Sequence, residues 1–326
     1  MKILQRSFGI ALTAGLILSA GTFETALADD FPTKPIRVIV PTGPGGSTDV
    51  TSRVVASVVA TYLGMPMIIQ LKGGAAGTIG MAAAHKAKPD GYTLVFGTGN
   101  HTSIVPHVRN LPYDSLKDFI PVFKVNNDPY LLISTKYKTF KGLVADLKAR
   151  PGQVSFGSNG LYGNGHSMIL KIGLDLGVKF KHVPFKGGGP AMRALLADKI
   201  DTAGGLFPSG GLLGRYRKGQ VYILAAAAEE RDKLAPDVPT YKELGVDFVY
   251  QLWRGFLAPK GTPQNRIDKI TAALYKTVKD KSFLKLMKNV GSPPNPLHGE
   301  AYKKMIRAEH KQFGKIFEQV GLKKKK

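Results

Sequence analysis

The chain of 326 residues contains no cysteine and one tryptophan, and its 23 acidic residues are half as many as its 46 basic ones. The absence of cysteine excludes disulfide bonds, thiolate metal ligands, cysteine nucleophiles and a lipid-modified N-terminal cysteine. The sequence also lacks an HExxH pattern, a phosphate-binding P-loop, a GxSxG elbow and a dinucleotide fingerprint. These absences argue against an enzyme, and we expect no metal site and no cofactor.

The shortage of acidic residues leaves a formal charge of +23, which raises the local concentration of anions. The basic residues are dispersed, and only residues 323–326 form a lysine run, which is typical of a solvated tail. No nucleic-acid-binding motif accompanies the charge. The composition therefore favours a small anionic ligand over nucleic acid.

The N-terminus has the pattern of a secretory signal. Lys2 and Arg6 precede an apolar stretch at residues 8–20, and Ala26-Leu27-Ala28 offers a small-residue cleavage site. The apolar stretch is too short to span a membrane as a helix. We therefore predict that residues 1–28 are a cleaved signal peptide and that the mature protein works in the periplasm.

The stretch around which the chain is organised is residues 41–49, PTGPGGSTD. It separates a predicted strand at Ile36–Val40 from a helical pattern at residues 50–63. The first N–H groups of a helix have no intrahelical partner, and the helix dipole favours negative charge there. Taken alone, this stretch is either an anion site or a tight strand-to-helix connection, with Ser47, Thr48 and Asp49 at the cap positions.

Similar loops recur. A second glycine-rich turn at residues 72–80 follows a predicted strand at Met67–Leu71, and a third predicted strand at residues 92–96 ends in Gly-Thr-Gly-Asn. In open α/β sheets, ligands bind at the carboxyl ends of strands, so we expect these loops to meet. Glycine-rich loops at residues 157–166 and 184–190 open two further helices in a second unit.

These loops, in this order, resemble the substrate-binding proteins of tripartite tricarboxylate transporters, the Bug-type receptors. The matching stretches are residues 31–36 (FPTKPI), 41–49, 74–80 (GAAGTIG), 88–94 (KPDGYTL), 111–114 (LPYD), 156–158 (FGS) with His166, 182–187 (HVPFKG), 237–240 (DVPT) and 258–263 (APKGTP). The resemblance covers essentially the whole mature chain.

The resemblance implies an α/β, two-domain periplasmic-binding-protein fold of the Venus flytrap type, with the ligand in a cleft between the domains. Domain I would comprise residues 29–130 plus 251–326, and domain II, residues 131–250, would be inserted. It also implies a monomer whose partners are a small carboxylate and the membrane components of such a transporter, with no nucleic acid.

The loops and the resemblance together predict the ligand-binding residues. Loops 41–49 and 74–80 would hold one ligand carboxylate, and loop 158–166 and Lys186 would meet the ligand from the other domain. The predicted residues are Thr42, Gly45, Gly46, Ser47, Thr48, Ala76, Gly77, Thr78, Thr98, Ser158, Asn164, His166, Lys186 and Gly205.

The roles of several side chains stay open at this point. Thr48 and His166 could each contact the ligand or cap a helix, whereas Asp49 would repel a carboxylate and is expected to cap. His182 is expected to be structural, and Trp253 is either hinge packing or a cleft wall.

One departure from the family pattern bears on the ligand. Many relatives carry an acidic residue where this chain has Gly205, so its absence disfavours a ligand with an amino group.

The function predicted is therefore capture of a di- or tricarboxylate or an aromatic carboxylate, and its delivery to a tripartite tricarboxylate transporter. The alternative is an exported sensor that presents its ligand-bound form to a signalling partner.

Overall fold

The computed structural model describes residues 30–319 and 321–322. The predicted signal peptide at residues 1–28 and the lysine run at residues 323–326 lie outside the described residues. No helix within the described part of the chain is long and apolar enough to cross a membrane.

Strands and helices alternate through most of the chain. The strands are β1 (Ile36–Val40), β2 (Met67–Leu71), β3 (Thr93–Thr98), β4 (Phe119–Pro129), β5 (Leu131–Ser134), β6 (Ser155–Ser158), β7 (Lys181–Pro184), β8 (Thr202–Gly205), β9 (Tyr222–Ala226), β10 (Gln251–Pro259) and β11 (Pro294–His298). The helices are α1 (Ser47–Leu63), α2 (Thr78–His85), α3 (Val105–Val108), α4 (Phe140–Ala149), α5 (Asn164–Leu176), α6 (Gly188–Leu196), α7 (Leu212–Arg217), α8 (Gln264–Thr277), α9 (Lys281–Asn289) and α10 (Gly299–Gln319).

The first sheet has the strand order β11-β4-β10-β3-β1-β2. Strand β1 runs parallel to β2 and to β3, so the carboxyl ends of these three strands meet at one edge. Strand β10 runs antiparallel to β3 and β4, with Arg254 opposite Thr98 and Asn126. This arrangement places the loops after β1, β2 and β3 side by side.

The second sheet has the strand order β7-β6-β8-β5-β9. Strand β6 runs parallel to β7 and β8, and β5 runs antiparallel to β8 and β9. The loops after β6 and β7 therefore lie at one edge of this sheet, as those of the first sheet do.

The chain passes between the two sheets twice, at residues 129–131 and at residues 249–251. The two passages are hydrogen-bonded, because the Tyr130 N–H donates to the Tyr250 carbonyl at 3.1 Å. Helix α10 follows β11 but places Phe313 and Phe317 in the apolar core that contains Tyr250 and strand residues of the second sheet. From Pro32 onward the contacts join the chain into one compact unit.

The structure corrects several predicted elements. Strand β4, helix α9 and strand β11 were not predicted. In β4 the strand pattern is obscured, because Phe119–Pro129 carries a lysine, two asparagines, an aspartate and two prolines among its apolar residues. Helix α1 begins at Ser47, so Ser47, Thr48 and Asp49 occupy its first turn, and Gly46 is the N-cap. The predicted strands at Ile36–Val40 and Met67–Leu71 are confirmed.

Candidate functional site

The loops of the two sheets enclose a cavity of about 50 Å³, the cleft cavity. Its lining residues come from both sheets and from the first passage between them. They are Pro41, Thr42, Gly46, Ser47, Thr48, Gly74, Ala76, Gly77, Thr98, His101, Tyr130, Asn159, Asn164, Lys186, Gly187, Gly188, Gly204, Gly205, Leu206, Ser209 and Leu252.

Most of the predicted ligand-binding residues come together in this lining. Those that line the cavity are Thr42, Gly46, Ser47, Thr48, Ala76, Gly77, Thr98, Asn164, Lys186 and Gly205. Gly45, Thr78, Ser158 and His166 lie in the same loops but outside the lining. Their backbone segments shape the wall, and their side chains, where they have one, are engaged elsewhere.

The helices that begin at the cavity have no side chain at their N-caps. Gly46, Gly77 and Gly187 precede α1, α2 and α6, and no side chain accepts a hydrogen bond from the first N–H groups of these helices. By contrast, Thr139 and Asp280 cap α4 and α9 through their side chains. The first N–H of α2, that of Thr78, donates to the Ala75 carbonyl, so the starts of α1 and α6 are the ones that offer their first N–H groups to an anion.

Asp49 supports the first of these helix starts from within the loop. Its Oδ2 accepts a hydrogen bond from the Gly45 N–H at 2.9 Å, and its Oδ1 accepts one from Arg53 Nε at 2.7 Å. Both carboxylate oxygens are therefore engaged outside the cavity. Asp49 holds the loop in shape, as expected, although from the first turn of the helix and not from its N-cap.

His101 contributes a donor whose tautomer is set by the backbone. The Thr98 N–H donates to His101 Nδ1 at 3.1 Å, so the ring proton resides on Nε2. Burial lowers the pKa of His101 to about 4, which keeps the ring neutral at physiological pH. Gly77 packs against Nε2, since a Cβ at this position would lie 2.2 Å from it. A small neutral N–H donor results at the cavity wall.

Ser158, His166 and His182 form a separate polar cluster behind the loop after β6. Ser158 Oγ lies 2.6 Å from His182 Nε2, and the rings of His166 and His182 stack with centroids 3.9 Å apart. The Tyr162 N–H donates to His166 Nδ1 at 3.0 Å. These contacts favour a structural role for all three side chains, in agreement with the expectation for His182.

The charges around the cavity have one sign. Among the described residues that line it there is no Asp or Glu, and Lys186 is the one formally charged side chain. Gly205 is part of the lining. The cavity offers N–H and hydroxyl groups and one ammonium, but no carboxylate to pair with a cationic ligand.

The two sets of loops touch each other across the cavity mouth. The Gly43 N–H donates to the Lys186 carbonyl at 3.1 Å, and the Gly210 N–H donates to the Gly45 carbonyl at 3.2 Å. Glycine makes this approach possible, because a Cβ on Gly189 would lie 2.2 Å from the Pro44 carbonyl oxygen. The loops of the two sheets are therefore in direct contact beside the cavity.

The sequence reasoning missed several lining residues, chiefly His101, Tyr130, Asn159, Ser209 and Leu252. Tyr130 belongs to the first passage between the sheets and Leu252 to the beginning of β10, where no loop motif marks them. His101 follows the predicted Gly-Thr-Gly-Asn loop directly, so its position after the third strand was an available signal. Trp253 is buried against Tyr302 and donates to Glu309, so it forms part of the packing and not of the cleft wall.

No group of three or more His, Cys, Asp or Glu side chains in residues 30–319 and 321–322 is arranged to hold a metal ion.

Comparisons with known proteins agree with this architecture. Protein BugT of Bordetella pertussis is 32% identical over 325 residues, covering 97% of this chain and 98% of the relative. The structure of MatC from Rhodopseudomonas palustris with bound malate has a TM-score of 0.82 at 28% identity and covers 88% of this chain and 99% of that one. An R. palustris protein with adipate has a TM-score of 0.83 at 25% identity, covering 90% of this chain and 99% of that one.

These likenesses confirm the predicted α/β periplasmic-binding-protein fold, and they agree with the expectation that the chain is not an enzyme, because the relatives are receptors. The profile described as "Tripartite tricarboxylate transporter family receptor" matches residues 51–322. The chain therefore belongs to the tripartite tricarboxylate transporter receptor family, the family of the Bug proteins.

Proposed function

We propose that this protein is a periplasmic receptor that closes on a small, compact di- or tricarboxylate and delivers it to the membrane components of a tripartite tricarboxylate transporter. The observation that carries the proposal is a cavity with two uncapped helix starts and no carboxylate in its lining. Such a site offers donors to an anion and no counter-charge to a cation.

The energetics favour a carboxylate. A hydrogen bond to a charged group contributes about 1.5–3 kcal/mol, more than a neutral one. Ser47 and Thr48 lie in the first turn of α1, where the positive end of the helix dipole adds to these bonds. Closure removes water from the donors, so each bond to the ligand gains strength.

The cavity volume selects among carboxylates. A single water needs roughly 10–15 Å³ on this measure, so the cleft cavity of about 50 Å³ has room for only about three to five waters, and a small ligand is favoured over a large one. This favours an acid of the size of malate over an aromatic carboxylate. The relatives with malate and adipate bound support the same class.

Capture by closure requires two lobes, and we propose residues 29–130 plus 251–326 as one and residues 131–250 as the other. The proposal is supported by the strand membership of the two sheets, since β5 to β9 all belong to the second. The passages near Tyr130 and Tyr250 would then act as the hinge.

Calorimetric titration of the chain from residue 29 onward tests the ligand class. We expect malate or a similar diacid to bind saturably and to raise the melting temperature, because a ligand that binds only the native state stabilises it. The matched control is the corresponding diamide, which has the same shape but no charge. Equal binding of acid and diamide would contradict the anion site.

Thr48→Asp provides a matched test within the protein. Thr48 lines the cleft cavity and lies in the first turn of α1. We expect diacid affinity to fall at least about tenfold, since a like charge in the cavity opposes binding. Thr48→Asn has nearly the same size as Thr48→Asp and no charge, and a loss of the same extent in both variants would show that the shape of the side chain, not its charge, is responsible.

A further inference from the structure

A second cavity, of about 310 Å³, shares no lining residue with the cleft cavity. It lies between β4, residues 249–253 and α10. Leu252 lines the cleft cavity, whereas Gln251 and Trp253 line the second one, and successive side chains of a strand point to opposite faces. The second cavity is therefore on the other face of the first sheet, and we call it the rear cavity.

The rear cavity contains one basic and one acidic side chain that do not pair with each other. Lys124 comes from β4 and is only 4% exposed, and Glu309 comes from α10. No carboxylate in the described chain lies within the 4.0 Å of an ion pair from the Lys124 ammonium. Two residues of opposite charge thus line one cavity and influence each other's charge without forming an ion pair.

Both groups have hydrogen-bonding capacity to spare. Lys124 Nζ donates to Asn127 Oδ1 at 3.1 Å and to Asn295 Oδ1 at 3.3 Å, both of them neutral acceptors, and an ammonium has a third N–H. Glu309 Oε2 accepts from Trp253 Nε1 at 2.9 Å, and Ser103 donates a further bond. The same carboxylate packs against Gly99, where a Cβ would lie 2.4 and 2.6 Å from its two oxygens. A carboxylate has about four acceptor sites, and these two hydrogen bonds use two of them.

The rest of the wall is apolar or neutral. Val249, Tyr250, Met305 and Ala308 supply apolar surface beside Trp253, and Gln312 supplies an amide. A volume of about 310 Å³ is at the lower end for small-molecule sites, which are apolar pockets with a few converging polar groups. The site suits a small molecule with one positive group, one negative group and an apolar body.

We propose that the rear cavity binds a free α-amino acid with an apolar side chain, its carboxylate on Lys124 and its ammonium on Glu309. The carboxylate and the ammonium of the amino acid would each give one of these two buried side chains a partner of opposite charge. Because residues 249–251 form both a wall of the rear cavity and a passage between the two sheets, occupancy would stiffen this passage. The proposal does not depend on the ligand of the cleft.

The titration behaviour of the pair agrees with this geometry. Burial lowers the pKa of Lys124 to about 8 and raises the pKa of Glu309 to about 7. Each group is thus held in a place where its charge is incompletely compensated. A zwitterion bound between them would restore both pKa values toward their ordinary range.

Trp253 makes the test direct, because it is the single tryptophan of the chain and lines the rear cavity. The chain from residue 29 onward is titrated with L-leucine while the tryptophan fluorescence is recorded. We expect a saturable change, and at least about tenfold weaker responses to 4-methylpentanoate and 3-methylbutylamine, which each lack one charge. Equal responses to all three, or no saturable change up to about 50 mM leucine, would overturn the proposal.

Two variants locate the response. Glu309→Gln retains an acceptor for the indole N–H, and Lys124→Gln retains a donor for the asparagines, and we expect each to weaken the leucine response at least about tenfold. A cooperative melt and an unchanged circular dichroism spectrum establish that the variants are folded. The analogue series tests the proposal with the unaltered protein should a variant fail to fold.

A third variant separates the rear cavity from the cleft. Gly189→Ala obstructs closure of the cleft and leaves every residue of the rear cavity in place. We expect it to lose diacid binding and to keep the leucine response. Loss of the leucine response in Gly189→Ala would instead assign leucine to the cleft and refute the rear site, whatever the outcome for the diacid.

Discussion

The cleft cavity and the rear cavity lie on opposite faces of β10 and differ in the charged groups that line them. The cleft cavity has no carboxylate among the described residues of its lining, and its donors are backbone N–H groups, hydroxyls, a neutral histidine and one lysine. The rear cavity carries a buried lysine and a glutamate held apart. The first is built for one sign of charge and the second for both.

The difference would let the protein keep the two proposed ligands apart. A backbone donor has no net charge, so its burial in an empty cleft cavity costs little, whereas Lys124 and Glu309 each lose hydration. Selectivity against amino acids in the cleft would follow from the lack of an acid in its lining. Affinity for an amino acid in the rear cavity would follow from the presence of Glu309.

The largest effect should come from blocking closure, which would abolish the cleft site and leave the rear one. In Gly189→Ala the new Cβ would lie 2.2 Å from the Pro44 carbonyl oxygen, so the loops in contact must shift. Overpacking of this kind costs about 1–3 kcal/mol, and we expect up to about 100-fold weaker diacid binding by calorimetry. Gly214→Ala in α7 is the control, since Gly214 does not line the cleft cavity and a Cβ there meets nothing within 4 Å. Similar losses in both variants would refute the closure argument.

A smaller effect should come from His101, and it would show whether the cleft depends on neutral donors. Because Nε2 carries the proton, His101→Gln can place an amide N–H near the same position, whereas His101→Phe cannot. We expect His101→Phe to weaken diacid binding about tenfold and His101→Gln to lose less. The His101 pKa of about 4 also predicts no contribution of this ring to the pH dependence of affinity between pH 6 and 8. A binding step in that interval that disappears in His101→Gln would contradict the neutral-donor role.

The smallest effect concerns stability and belongs to the rear cavity. Burial raises the pKa of Glu309 to about 7 from an ordinary value of 4.5. Between these values the folded protein binds more protons than the unfolded chain, so the free energy of unfolding should fall as the pH rises from 4.5 to 7.

Glu309→Gln removes this titration, and its free energy of unfolding should fall less steeply with pH than that of the unaltered protein, as measured by urea unfolding without ligand. Glu300→Gln, which alters an exposed glutamate of the same helix, is the control. An identical pH slope in Glu309→Gln and the unaltered protein would contradict the raised pKa.

Many of the strands and helices could be predicted because the residues that mark them are close together in the sequence. Strands β1 and β2 are short apolar segments bounded by turn residues, and α1 has an apolar face that ends at Gly64 in the left-handed conformation. Strand β4 escaped prediction because it lies between β10 and β11, and its polar residues are satisfied by neighbours distant in sequence, as Asp128 is by Arg254 and Ser292.

The residues that line the cleft cavity also include some that the sequence could predict and some that it could not. Thr48, Ala76 and Asn164 could be predicted because each lies where a glycine-rich loop opens a helix, a pattern visible in a few consecutive residues. Tyr130 and Leu252 could not, because they lie in or next to the passages between the sheets and acquire their place in the lining only when both sheets are assembled.

The sequence by itself determined the α/β alternation and the glycine-rich helix starts, because these are properties of neighbouring residues, and the order of its motifs determined the receptor family. Only the tertiary structure decided which loops face each other, that His101 is a neutral donor, and that Lys124 and Glu309 share a cavity. These depend on contacts between residues far apart in the chain, such as Gly43 with Lys186, and on the loss of water that such contacts bring.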